Sequence, residues 1–357
     1  MPVKSFNKLL GLIRKDLEVD RSMASLRGGA IIPEICLYCT LRYLAGGSYS
    51  DIHFFVGISS ASFYRVVQKT LRAINKCKEL RFRLPKTKEE LRVAAEGFES
   101  ISSNGCIKNC VGVVDGYHLQ TQSPSKKEAG NVRSFFSGHY QTYGVNCQAV
   151  ADHHCRFTFF AVAGPGVLGD RNAINEAGLG ALINELPGLY CVIGDCAYTP
   201  SEHLVPIYGG KQALTEVNDN FNFYASQCRI RIEMAFGLMV KKWGILGRAM
   251  SLKLKYITPL ILAVSRLHNF CINERLMGKT HHTFTPKNVD LSVHAQAMRQ
   301  AAADFECDDM IRDFAAPHSL NRERMAKAVA DAGLERPGRS VLSGRKRKRN
   351  QQASVDV

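Results

Sequence analysis

Three carboxylates stand where chemistry is done. Asp115 lies in Val113-Val114-Asp115-Gly116-Tyr117-His118, one residue past a predicted strand, with glycine beside it to admit a ligand. Asp195 has the same setting after the apolar run Tyr190-Cys191-Val192-Ile193-Gly194. Glu233 falls in a helical pattern in which Ile232, Ala235, Phe236 and Met239 form the buried stripe, so its side chain sits on the flank of that stripe. Arg229, one helical turn earlier, points the same way and could pair with Glu233 or hold a phosphate; Arg231 is a second candidate for the phosphate. Oxygen ligands without sulfur or imidazole favour hard cations, magnesium or manganese, and without a cation the carboxylates would repel one another. Two such ions, roughly 3.5–4 Å apart, would activate a water or hydroxyl and stabilise the leaving oxygen of a phosphodiester.

The elements that must position these acids follow from hydrophobic patterning. Residues 110–114, 145–151 and 157–162 read as three successive strands, a meander; a helix rich in Ala and Leu is expected over 175–186, then a buried strand at 190–194. Helix returns from Ala225 to about Val240 and from Ile257 to Met277. The order βββαβα predicts a three-layer α/β domain, in which the first and fourth strands pair and bring Asp115 and Asp195 together. Residues 1–78 read as all-α. Within them Tyr49, Ile52, Phe55 and Val56 make one apolar face, Gly57 breaks it, Ser59 or Ser60 caps the next helix, and Phe63, Val66, Val67 and Leu71 resume. This is a helix-turn-helix pattern whose second helix offers Arg65, Gln68, Lys69 and Arg72 to a DNA groove, the plain alternative being a helical hairpin with a solvated basic face. Residues 79–109 read as a linker with one short helix at 88–98, 279–340 as a helical C-terminal extension with a weak helix at 286–313, and 341–357 as a disordered basic tail.

Lys and Arg number 47 against 32 Asp and Glu, a net +15, and 42 against 31 remain without residues 341–357, so the folded body itself is basic. Such an excess draws a protein to polyanions, nucleic acid first. The run Arg345, Lys346, Arg347, Lys348 and Arg349 reads as a nuclear-import or nucleic-acid patch and places the protein in the nucleus. Lys241 and Lys242 precede Trp243, the single tryptophan, which reads as core with stacking on an unpaired base as the alternative. Twelve scattered cysteines fit reduced thiols; Cys36/Cys39 and Cys106/Cys110 have zinc-like spacings but do not complete a four-ligand knuckle. Gly164-Pro165-Gly166-Val167-Leu168-Gly169 lacks the Lys-Ser/Thr ending of a phosphate loop. The opening Leu9-Leu10-Gly11-Leu12-Ile13 lacks a cleavage site and reads as an ordinary helix, and no stretch approaches the ~18 apolar residues of a membrane span, so a soluble protein without membrane association is expected.

Over residues 25–275 the sequence resembles the PIF/Harbinger transposases and the domesticated Harbinger transposase-derived nucleases, members of the DDE superfamily. The resemblance runs through Gly47-Ser48-Tyr49-Ser50-Asp51-Ile52, Tyr64-Arg65-Val66-Val67, the Asp115 motif and Asn146-Cys147-Gln148-Ala149-Val150-Ala151-Asp152. It continues through Gly164 to Asn172, the Asp195 motif, Arg231-Ile232-Glu233-Met234-Ala235-Phe236-Gly237 and Leu267-His268-Asn269-Phe270. It implies an RNase H-like catalytic domain over 110–278, a mixed sheet flanked by helices, behind the N-terminal helix-turn-helix domain. Asp115, Asp195 and Glu233 would be the metal-binding triad and Asp170 a fourth ligand, although a loop aspartate beside Arg171 after two glycines is as often a turn residue. The implied activity is magnesium- or manganese-dependent cleavage of double-stranded DNA with strand transfer, by a homo-oligomer that a Myb-like helper protein delivers to its site. Relatives commonly show Asp-x-Thr-His and His-Asp-Ser where this chain has Tyr117 before His118 and Gly169-Asp170-Arg171; neither departure removes a carboxylate. A domesticated, non-catalytic DNA-binding scaffold and an RNase of the same fold are the alternatives.

Overall fold

The computed structural model describes residues 1–19, 29–278 and 319–337. The expected helix at 286–313 and the basic tail lie outside them. The N-terminal region holds α1 (Val3–Leu17), α2 (Pro33–Leu44), α3 (Tyr49–Phe55) and α4 (Ser60–Lys76). Ser59 caps α4 by accepting the Ser62 N–H at 3.2 Å, and Phe63, Val66, Val67 and Leu71 are buried at helical spacing. The expected apolar face of α3 is not closed. Only Ile52 of α3 is buried; Phe54 and Phe55 are 83% and 78% exposed.

α5 (Lys88–Ile101) starts at a capping box in which Thr87 and Glu90 bond each other's backbone N–H. Then come β1 (Cys110–Gln120), the single turn α6 (Lys126–Ala129), β2 (Phe136–Ser137), β3 (Thr142–Ala151) and β4 (Phe157–Pro165). β1 continues six residues beyond the predicted strand, so Asp115 is not past its end but inside it, opposite Ala149 of β3. The helix expected over 175–186 is two, α7 (Asp170–Glu176) and α8 (Leu179–Asn184), broken at Gly178 with φ 69°. β5 (Cys191–Gly194), β6 (Leu204–Pro206), α9 (Glu216–Lys242), α10 (Leu254–Gly278) and α11 (Leu320–Asp331) complete the described elements.

β3 runs antiparallel to both β1 and β4, whereas β5 lies parallel to β1 and β6 parallel to β5. The sheet is therefore mixed, ordered β3-β1-β5-β6 with β4 also on β3, and helices cover both faces, the arrangement of an RNase H-like domain behind a helical N-terminal region. Alternation along the strands sorts the core: Val113, Ala149 and Ile193 join the layer containing α9 and α10, while Val114, Val150 and Val192 meet Leu91, Ile174 and Ile183 on the other face. Among the described residues no helix is long and apolar enough to cross a membrane.

Candidate active site

Asp115 shares its face of β1 with Tyr117, whose ring stacks on Phe236 of α9 at 5.0 Å. Its carboxylate therefore looks toward α9. Oδ1 accepts the Gly116 N–H at 2.9 Å, and Oδ2 is 3.6 Å from Arg229 Nη1. Arg229 also holds Glu233, Nη2 to Oε1 at 2.5 Å, across one helical turn. One guanidinium thus joins an acid of the sheet to an acid of the helix. Asp195 is the first residue after β5, and because Val113 pairs with Ile193 in parallel register, it stands level with Asp115. Its Oδ1 accepts the Ala197 N–H at 3.0 Å, which turns the chain away from the sheet.

Asp170 reaches the same region from the other side. It opens α7, and its Oδ1 accepts from Gln148 Nε2 at 2.8 Å and Asn146 Nδ2 at 3.1 Å. Those amides lie on the face opposite Asp115. A Cβ at position 116 would come within 2.1 Å of Asp170 Oδ1, so glycine is what leaves room for this carboxylate. Tyr198 closes the network by donating its hydroxyl to Gln148 Oε1 at 2.8 Å. Asn146, Gln148 and Tyr198 were not among the expected site residues; two amides at i and i+2 of one strand share a face, and that period-2 spacing was their signal.

The acids sense each other. Burial, then the charge of Asp195, pushes the Asp115 carboxyl well above the usual range, with Arg229 opposing and Asp170 and Glu233 adding to the rise. Asp195 is raised as well, by burial first and Asp170 second. The pocket is short of positive charge even with Arg229 present. That deficit and an all-oxygen donor set fit a hard cation, for which Asp115, Asp195 and Glu233 are the available ligands. As folded, no group of three or more His, Cys, Asp or Glu among the described residues is drawn together to hold a metal ion, and Arg229 supplies the counter-charge between Asp115 and Glu233.

Other predicted residues lie elsewhere. Arg231 is two positions from Arg229, about 200° around the helix, and is buried at 7% exposure against the Asp152–Cys155 turn, so it is no phosphate ligand of this pocket. Its Nε has no hydrogen-bond partner. Lys241 and Lys242 are exposed at the end of α9, about 12 Å along the axis from Glu233. On α4, Arg65 and Arg72 are exposed and Gln68 is half-buried. Lys69 is committed internally: its Nζ donates to the carbonyls of Leu17 at 2.7 Å and Glu18 at 2.9 Å, closing the C-terminus of α1 rather than facing DNA. Trp243 is buried in the core. Arg345, Lys346, Arg347, Lys348 and Arg349 lie outside the described residues.

The family model described as DDE superfamily endonuclease matches residues 114–269. All four acids fall within this DDE superfamily endonuclease domain, whereas α1 to α5 and α11 lie outside it. Comparison with curated proteins and with solved structures gives no match.

Proposed function

We propose that this chain is a divalent-metal-dependent DNA endonuclease of the PIF/Harbinger transposase type, cutting phosphodiester bonds and transferring the cut strand. What supports the reading is that Asp115 and Asp195 stand level on neighbouring strands while Arg229 joins Asp115 to Glu233, all within the DDE endonuclease domain. Asp115 and Asp195 would hold magnesium or manganese and Glu233 would complete the shell. Bound there, such ions supply an activated water or 3′-hydroxyl and neutralise charge on the phosphate. Arg229, already at the edge of Asp115 and Glu233, orients a non-bridging phosphate oxygen through its fork of N–H groups. Asp170, tied to two amides, acts as a positioning residue for the Gly116 stretch of β1 more than as a ligand. Arg65 and Arg72 on the second helix of the pair, with Lys241 and Lys242, provide backbone contacts to double-stranded DNA. The basic run 345–349 would carry the protein to the nucleus, and assembly as a homo-oligomer with a Myb-like helper belongs to the same proposal.

The test is an Asp115→Asn chain assayed on DNA in magnesium. DNA binding is expected to persist while cleavage falls by at least about a thousandfold, the range set by loss of an essential catalytic group. Undiminished cutting overturns the assignment. The bridge from Arg229 to both Asp115 and Glu233 specifically favours a second reading, a non-catalytic DNA-binding scaffold that keeps the fold with its acids internally neutralised. On that reading the wild-type chain binds DNA and leaves it intact in magnesium and in manganese.

A further inference from the structure

The rim of the acidic pocket carries an aromatic shelf that cleavage chemistry does not use. His118 lies on the face of β1 opposite Asp115, the face where Gly116 admits Asp170, and its ring lies flat against Tyr140, 4.7 Å between centroids at 15°. The Thr142 hydroxyl, 3.1 Å from His118 Nε2, fixes the imidazole. Tyr140 sits in the turn that joins β2 to β3, and that turn is held at several points. Buried Ser137 accepts the Tyr140 N–H at 3.3 Å, and the Gln141 side chain donates to the Gly138 carbonyl. Gln141 itself has φ 53°, a left-handed conformation that a non-glycine residue keeps only where its surroundings hold it.

Despite this fixing, Tyr140 is 54% exposed. The His118 ring lies flat on it and the His139 ring meets it edge-on, 4.6 Å between centroids at 82°, yet more than half of the residue stays accessible. A rigid, accessible ring beside a phosphate-handling pocket has the shape and polarisability to receive a nucleobase. Loss of solvent around the hydroxyl, then the charges of Asp170, Asp115 and Asp195, pushes the phenol up to about 12. At neutral pH the shelf is therefore uncharged and does not repel a phosphate chain.

We propose that Tyr140, braced by His118, stacks on an unpaired nucleobase adjacent to the phosphodiester held at Asp115 and Asp195, so that DNA enters the site with at least one base outside the duplex. The inference takes the location of the phosphodiester from the nuclease reading, and its test uses a readout that needs no cleavage. The full chain is titrated, with calcium in place of magnesium, into a thymidine oligonucleotide carrying one 2-aminopurine, and affinities are compared for blunt and single-strand-overhang duplexes of equal length. Wild-type, Tyr140→Phe and Tyr140→Trp chains are expected to quench the fluorophore, while Tyr140→Ala does not. Tyr140→Ala is further expected to bind overhang DNA about tenfold or more weakly and blunt duplex unchanged. Absence of quenching by the wild-type chain, equal quenching by Tyr140→Ala, or an equal loss of affinity for both DNAs overturns the proposal. Quenching that depends on Tyr140 in a chain whose cleavage ignores Asp115→Asn would retain the stacking and reject the nuclease.

Discussion

Arg229 balances two carboxylates at once, and this makes it the residue on which the charge state of the pocket turns. Arg229→Met keeps the apolar stem but leaves Glu233 uncompensated beside Asp115, whose carboxyl burial and Asp195 already push upward. Metal-free stability is expected to fall by about 1–3 kcal/mol, less than for a fully buried pair because the side chains remain about one-fifth exposed. Magnesium should then raise the unfolding temperature of the variant more than that of the wild type. Thermal unfolding with and without magnesium decides it, and an identical magnesium response in both chains would refute the balance. The placement of Asp195 after a strand and of Glu233 on a helix flank was legible in sequence because each has a local signature, whereas Asp115, expected past its strand, lies inside it. The facing of Arg229 and Glu233 followed from four-residue spacing, and the same arithmetic should have turned Arg231 away. Asp170's partners were not legible: its place beside Gly116 depends on β3 supplying Asn146 and Gln148, a tertiary fact.

At the scale of elements, the segment Leu267-His268-Asn269-Phe270 shows why a sequence motif need not touch chemistry. Asn269 on α10 accepts the Phe157 N–H and donates to the Phe157 carbonyl, both at 2.7 Å, so its amide acts as a strand partner for the free edge at the start of β4. Next to it His268 contacts the Cys155 carbonyl at 2.8 Å. Together they fasten α10 to the β3–β4 hairpin. Asn269→Ala would strand a donor and an acceptor at nearly buried Phe157 and is expected to cost about 2–4 kcal/mol. Asn269→Asp keeps the acceptor alone and should fall between the two; chemical denaturation of the three chains tests the order, and an alanine variant as stable as wild type would remove the fastening role. The long elements of this layer were readable from periodicity, β3, α9 and α10 above all. β6 was missed because three residues carry no period, and the 175–186 helix was misread because Gly178 alone separates two apolar turns of the same spacing.

Over the whole molecule a single hydrophobic cluster runs from Leu9 and Phe63 through Phe98 and Val113 to Phe236 and Leu267, so the N-terminal helices and the sheet share a core. Loosening the β3–β4 end should therefore be felt in one cooperative unfolding transition, and pH provides the lever. His268 is 2% exposed, and burial holds its imidazole down at about 4. An unfolded histidine titrates near 6.5, so the neutral, hydrogen-bonded form contributes its full stability above that value. As pH falls below 6.5 the unfolded chain takes up the proton first, and the contribution is lost until the folded imidazole also titrates near 4. Between pH 7 and 5 this amounts to about 2 kcal/mol. Asp115 and Asp195 act with the opposite sign: their folded carboxyls are raised, so their penalty is complete above the folded value and relieved as pH falls through it. The comparison that isolates the imidazole is His268→Gln, whose amide nitrogen can still donate to the Cys155 carbonyl but does not titrate. Its stability is expected to fall less steeply than wild type by about 2 kcal/mol over pH 7 to 5, measured by denaturant titration at each pH. Parallel slopes for the two chains would mean that the buried imidazole does not govern the acid limb, and the half-buried pair His153 and His154, both also held low by burial, would be the groups to examine.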